Sequence, residues 1–543
     1  MSTEKNGQVE VEISSFHTEE EAKKPFNKWT FFFFNSESHP ANDDLFEGEP
    51  YTVDNMLEYE AGGFRLDISS FPLWKKILGF WWDGVFLPPS ERRYLLKVDF
   101  CLFLYTIVAC FVKYLDQSAI LNSYVSGMKE DLNMYGSNDY NYLTTFFNIG
   151  YLSFSILMST VNKSLRPSFF LPFCEVLWTV IVMSTAAAKT KQQVFGLRFV
   201  QGVVESTSFP GLVMVISEWY SVESLAKRIF MLDATSSVAS MFAGYIQAGV
   251  YTNLNGKYGI PGWKWVFIID GIISMPVAVL GFYCLPDFPQ NSRAPWLTKK
   301  DRQFGLARAK AHKKVKPTPI TPKRFAKVFL NPKLWVFLGP YVIGCLGSIG
   351  FNYFLLYLKS LGTFSVQRVN LIPTAANAVS FVSMLVSSSF SDYFRNRIFF
   401  LTTHQVIGLI STILLVIWHL PQGAIIFAYI FGGAATSQPL AISWFAETFY
   451  DEPDLKGISI GVGNTLVYSF SAFLPLGLFP NKDGPRFRVG YRVSIAFWII
   501  SAATNFIFYF FAKNHNRKRD ERYAAEKQEQ GELSEDEEVL QVL

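Results

Sequence analysis

Charge is scarce in this chain. Only 17% of its 543 residues are Asp, Glu, Lys or Arg, against about 25% in ordinary soluble domains. Cysteine is scarcer still. The five present (Cys101, Cys110, Cys174, Cys284 and Cys345) all fall in apolar runs with no C-x-x-C pair, which excludes a disulfide framework and a thiolate metal site and leaves small buried hydrophobes. There is no P-loop, no His/Cys spacing suited to zinc and no nucleophile elbow. Nucleotide-driven pumping, metal chemistry and acyl transfer are therefore not expected, nor is any cofactor, metal or enzymatic activity. No basic segment followed by a short apolar core opens the chain, so we expect no cleavable signal peptide and insertion directed by the first apolar span. The net charge is only +4, with the basic residues lying between apolar runs; nucleic acid is not an expected partner.

Apolar sequence fills the remainder. Half of the residues are hydrophobic, and Phe alone occurs 53 times. Runs of about 20 residues, enough for a helix to cross the hydrocarbon core, are predicted at 98–122, 141–161, 167–187, 194–217, 229–251 and 264–285. They resume at 334–358, 370–390, 398–418, 423–446, 457–479 and 490–512. The expected organisation is an N-terminal region, 1–92, largely disordered; a six-helix bundle, 93–289; a central loop, 290–333; a second six-helix bundle, 334–512; and a tail, 513–543, disordered from about 524. Residues 29–34 are apolar but too short to span. Residues 71–82 suit an interfacial amphipathic helix or a soluble helix under the bundle.

The central loop is dense in Lys and Arg, with Asp301 its single acid. The positive-inside rule makes it cytoplasmic, and six preceding spans then place both termini on that side. Lys163 and Arg166, Lys227 and Arg228, Arg395 and Arg397, and the cluster Arg517 to Arg519 agree. Lys189, Lys191, Arg486, Arg488 and Arg492 fall on the other side. Six spans, a long loop and six more form the sequence signature of the major facilitator arrangement, whose binding site lies near the bilayer midplane between the halves. A local repeat accompanies it: Asn162 to Arg166 follows the second span, and Ser391 to Arg397 follows the eighth.

Several strings carry a more specific likeness. They are Asn122 to Leu132; Arg198 to Glu205; Trp219-Tyr220 followed by Glu223 and Ala226-Lys227-Arg228; Leu254 to Gly256; Gly262 to Gly271; Leu285 to Pro289; and Pro485 to Tyr491. With them the chain resembles the fungal allantoate permease (anion:cation symporter) family of the major facilitator superfamily, over roughly residues 92–512. Asn122 to Leu132, with Lys113 three residues before Asp116, resembles its vitamin-transporter (biotin and pantothenate) branch. Many members have an Asp-Arg pair in the first helix, where this chain has Asp116 and Gln117. The resemblance implies an all-α membrane protein of the major facilitator fold. It implies import of a small carboxylate vitamin across the plasma membrane by proton symport. We expect a monomer whose partners are a small organic anion, protons and the lipid bilayer. A carrier for allantoate, nicotinate or a sulfur amino-acid derivative, or a non-transporting nutrient sensor on the same fold, are the rival readings.

Charged groups inside a span cost about 2.5–3.5 kcal/mol each at mid-depth, so they are paired or line a water-filled path. Lys113 and Asp116 share one face of the first helix. Lys113 is the candidate for the substrate carboxylate and Asp116 for the proton; the alternative is that they neutralise each other. Arg198 and Glu205, two turns apart in the fourth helix, offer a second proton-coupling acid (Glu205) and a structural lock (Arg198), with Gly202 allowing close helix approach. Asp233 lies near Lys227 and Arg228, and Asp392 near Arg395; both groups suggest gating or structural pairs. Asp270 and His404 stand in apolar runs with no assigned role. Gln117, Asn352, Asn377, Trp444 and Asn464 are candidate substrate-binding groups, packing being the competing use of each. Gly344 to Gly350 and Gly432-Gly433 mark helix flexing and tight packing.

Overall fold

The computed structural model describes residues 72, 74, 89–220, 222–289, 292–298, 301–302, 305, 322–394, 396–449 and 452–529. Among them there is no β-strand. The helices that build the body are α1 (Arg92–Asp131), α2 (Asp139–Ser164), α3 (Pro167–Ala187), α4 (Lys191–Trp219), α5 (Val222–Leu254) and α6 (Gly262–Cys284). The second set is α7 (Pro332–Ser360), α8 (Val366–Phe394), α9 (Arg397–Ile417), α10 (Gln422–Thr448), α11 (Pro453–Leu478) and α12 (Arg488–Glu529). Local signals start several of them. Pro167 opens α3 at its first turn, where a missing N–H costs nothing. Thr190 and Gln193 form a reciprocal capping box at α4. Asn331 caps α7 just before Pro332, and Asn396 caps α9.

Eleven helices among the described residues are long and apolar enough to cross a membrane. The predicted span 141–161 is α2, a continuous helix of 26 residues. Most helices outrun their predicted spans. α12 goes furthest, staying helical to Glu529 where disorder was expected from about 524. Its last turns are rich in Ala, Glu, Lys and Gln, all strong helix formers, with Arg517 and Glu521 four apart at 3.7 Å. The predicted helix at 71–82 lies outside the described residues except for positions 72 and 74.

The two sets repeat one packing scheme. In the first, α1 packs on α5 and α6, α2 on α4, and α3 on α6; in the second, α7 packs on α11 and α12, α8 on α10, and α9 on α12. The halves meet through α2 with α11 and α5 with α8, one contact being the other shifted by six helices. Close approach is built the same way in both. An added Cβ on Gly202 of α4 would sit 2.2 Å from the Phe147 carbonyl of α2, and one on Gly433 of α10 would sit 2.3 Å from the Ala376 carbonyl of α8.

Among the described residues four helices are interrupted, and they are the first, fourth, seventh and tenth. α1 breaks at Ser126-Gly127, where Gly127 takes φ 118°, a conformation open to glycine at little cost. α4 divides after Glu205, with Ser208 opening its second part. α7 changes to a tighter turn over Ile349–Tyr353, and α10 does so over Gly433–Ala435. The glycine patches of the sequence thus fall at the breaks of α7 and α10. Interrupted helices are where transporter folds place binding groups, because their backbone is not fully committed to the helix.

Bonds joining the halves run from the midplane to the end away from the 290–333 loop. Asn141 donates to the Phe479 carbonyl (2.9 Å) and accepts from the Tyr353 hydroxyl (2.7 Å). Thr145 donates to the Ala472 carbonyl, Asn370 to Ser126, and Lys359 pairs with Glu130 at 2.8 Å. That end is tied shut.

Candidate functional site

The interior of the first half is charged. Lys113, Asp116, Glu175, Arg198, Glu205 and Asp270 are all buried, at or near mid-helix. Lys113 is 1% exposed. No carboxylate among the described residues lies within ion-pair distance of its ammonium. Rings surround it instead: Nζ is 4.9 Å from the centre of Tyr114, 5.5 Å from Phe209 and 5.9 Å from Tyr151. Aromatic faces attract a cation by roughly 0.5–2 kcal/mol, which eases its burial without neutralising it. Tyr151 of α2 stacks on Tyr468 of α11 with centroids 4.7 Å apart, so the cation lies where the two halves touch. Its charge acts on Glu205, on half-buried Asp233 of α5 and on Tyr468.

Lys113 and Asp116 do not pair. Three residues along a helix leave two side chains about 60° apart around the axis, and here they diverge. Lys113 points toward α2 and α4. Asp116 turns to α6, accepting from Ser274 (3.4 Å), with its charge felt from Asp270 one turn earlier on that helix. One oxygen of each carboxyl, Oδ2 in both, is buried without a hydrogen-bond partner. Glu175 of α3 is likewise buried and accepts from Tyr105 at 2.6 Å.

Arg198 and Glu205 belong to one chain of polar groups along α4. Arg198 donates to the Leu143 carbonyl (3.2 Å) and to Gln201 (2.8 Å). Gln201 donates to Glu205 at 3.1 Å, and Gln117 of α1 donates to the other oxygen of Glu205. Gln201, which residue type alone does not single out, stands midway on the face that Arg198 and Glu205 define. The expected use of Gln117 as a substrate group meets a different geometry, since its amide is engaged by Glu205.

The remaining candidates separate. Arg228 bonds Asp99 of α1 at 3.0 Å and lies 3.9 Å over the Tyr220 ring. Asn464 accepts from Tyr341 at 2.7 Å, joining α11 to α7. Asn377 is half-buried on α8. Asn352 is exposed, and its carbonyl accepts from Tyr140 at the closed end. Trp444 packs edge-on against Phe508 of α12 at 4.5 Å. His404 bonds the Ala434 carbonyl through Nδ1. The side chains of Lys227 and Asp392, and all of Arg395, lie outside the described residues.

Two helical halves repeated by six, tied at one end, with interrupted helices and buried charge at their junction, define a membrane carrier. Comparison with known proteins agrees. The family model for the Major Facilitator Superfamily matches residues 106–475, and the chain belongs to that superfamily. Pantothenate transporter liz1 of Schizosaccharomyces pombe is 31% identical over 74% of this chain and 78% of its own length. The vitamin H transporter of Saccharomyces cerevisiae is 28% identical over 79% and 74%. The inward-open structure of the xylose transporter XylE from E. coli aligns at TM-score 0.57 with 12% identity, covering 76% of this chain and 95% of that one, a likeness of fold alone. This is a multi-pass membrane transport protein, not an enzyme.

Proposed function

We propose that the chain imports a small carboxylate vitamin, pantothenate or biotin, across the plasma membrane in symport with protons. The observation that carries this reading is Lys113: a buried ammonium without a carboxylate partner among the described residues, held among rings at the junction of the halves. A substrate carboxylate docked there gains a charge-assisted hydrogen bond in a water-poor setting, and Tyr114, Tyr151 and Phe209 offer faces to its apolar part. Docking also neutralises the cation whose field Glu205 and Asp233 share, and a proton taken up by one of them restores the local charge. Asp116, facing Asp270, is the further proton candidate. The names of the relatives support the vitamin branch of the anion:cation symporter family. The basic 290–333 loop supports a cytoplasmic position for that end and both termini, so the tied end faces outward.

Cells lacking vitamin uptake and expressing this chain should accumulate labelled pantothenate or biotin. Uptake should be faster at acidic than at neutral pH and should collapse with an uncoupler. Accumulation of neither vitamin would sink the substrate assignment in favour of another organic anion. Uptake indifferent to pH and uncoupler would remove the proton.

A further inference from the structure

Arg486, Arg488 and Arg492, like Lys189 and Lys191, depart from the charge bias of the other loops, and the transport site makes no use of the three arginines. Lys191, another exception, has a local explanation: it pairs with Asp139 at 3.0 Å. The three arginines have none. Among the described residues no carboxylate, carbonyl or ring is bonded to any of their guanidinium groups, and Nε of Arg486 is buried without a partner. All three line one cavity of about 240 Å³ together with His419, Val416 and Tyr491. Among the described residues no acidic side chain is in that lining. Guanidinium stays charged at any physiological pH; Arg486 is half-buried and Arg488 and Arg492 are exposed, so three cations face one solvent-connected space that an anion can bridge.

The walls of this cavity are built rather than draped. Phe487, between two of the arginines, is fully buried at φ 33°, a left-handed conformation costly for a residue with a side chain. Its ring packs against Tyr353, Phe479 and Tyr491, which fixes where Arg486 and Arg488 leave the backbone. Tyr491 is held in turn by its hydroxyl, bonded to the Tyr429 hydroxyl at 2.5 Å and to the Gly350 carbonyl at 3.4 Å in the break of α7. The volume suits an oxyanion with several waters, at ~30 Å³ per water, and planar guanidinium forks match phosphate and carboxylate oxygens.

We propose that this pocket, between the end of α9 and the start of α12, is an anion-binding site that takes a phosphate- or carboxylate-bearing group. The pocket is at the end away from the 290–333 loop, so both a free small anion and a lipid headgroup can supply that chemistry. The inference does not depend on which substrate the carrier moves.

Calorimetric titration of the delipidated full-length protein in neutral detergent, with inorganic phosphate as the probe, tests it. Saturable binding is expected, weakened about tenfold by Arg492→Gln, the loss of one charge-assisted hydrogen bond, and unchanged by Lys482→Gln outside the lining. Should the glutamine variants not fold, Arg488→Lys and Arg492→Lys keep the charge, lose the fork and should still weaken binding. Repeating the titration in nanodiscs of phosphatidylcholine, with and without phosphatidic acid, separates the sources. Suppression by phosphatidic acid identifies a headgroup as the occupant, and indifference identifies a free anion; either supports the site. No saturable phosphate binding by the wild type, or equal binding by a folded variant lacking all three arginines, overturns it.

Discussion

The two halves share a packing scheme but not an interior. The first buries Lys113, Asp116, Glu175, Arg198, Glu205 and Asp270. Among the described residues of the second, no Asp, Glu, Lys or Arg is buried. Its interior polar groups are neutral. Asn505 donates to Gln405 (2.5 Å), Gln405 to Ser501 (2.7 Å), and Trp498 to Thr412 (3.1 Å). A duplicated backbone therefore carries two kinds of chemistry. Bonded neutral groups stabilise and specify a core at little electrostatic cost, although Oδ1 of Asn505 is left without a partner. Buried charges destabilise it unless a ligand or proton meets them, so the costly half is the one that the transported ions should touch.

That contrast can be broken experimentally. Lys113→Ala should lower uptake about thirtyfold or more, the loss expected on truncating one partner of a buried charged contact, with surface expression unchanged; retained transport would make the lysine structural. Gly202→Ala and Gly433→Ala should instead behave alike. Each places a Cβ within 2.3 Å of a backbone carbonyl on the facing helix, a strain of about 1–3 kcal/mol or more that thermal unfolding in detergent would register. A large difference between them would show that the repeat is only nominal. Gln201→Leu removes the amide that bonds both Arg198 and Glu205 and should cost about 1–3 kcal/mol, less than additive with Glu205→Gln because the residues form one network. Smallest is Asn505→Leu in the neutral half, about 1 kcal/mol of stability with no change in the KM for uptake. A raised KM there would end the division of labour.

The fold was legible because hydrocarbon imposes a length on every span, and twelve predicted spans correspond to α1–α12. Where prediction slipped, a helix outran its apolar run: α12 continues as a charged helix to Glu529. The site was legible in part. Lys113, Arg198 and Glu205 announced themselves by their cost. Their partners did not, since sequence spacing does not fix which neighbour a side chain meets. Asp116 sits one turn from Lys113 yet turns to α6. Arg228 meets Asp99, which lies more than a hundred residues earlier. Gln201 is an ordinary amide until Arg198 and Glu205 are seen to bond it from either side. Asn352 and Trp444 were marked by residue type alone, and one is exposed while the other packs on Phe508.

The interruptions at Ser126-Gly127, after Glu205, at Ile349–Tyr353 and at Gly433–Ala435 have a consequence that needs no substrate to observe. Regular helix protects its amide protons against exchange with solvent, and local openings expose them first. In deuterated buffer these four seams should label ahead of the turns on either side, one seam in every third helix along the chain. If the halves rock about them, a ligand that arrests the rocking will slow all four together, including the two in the second half.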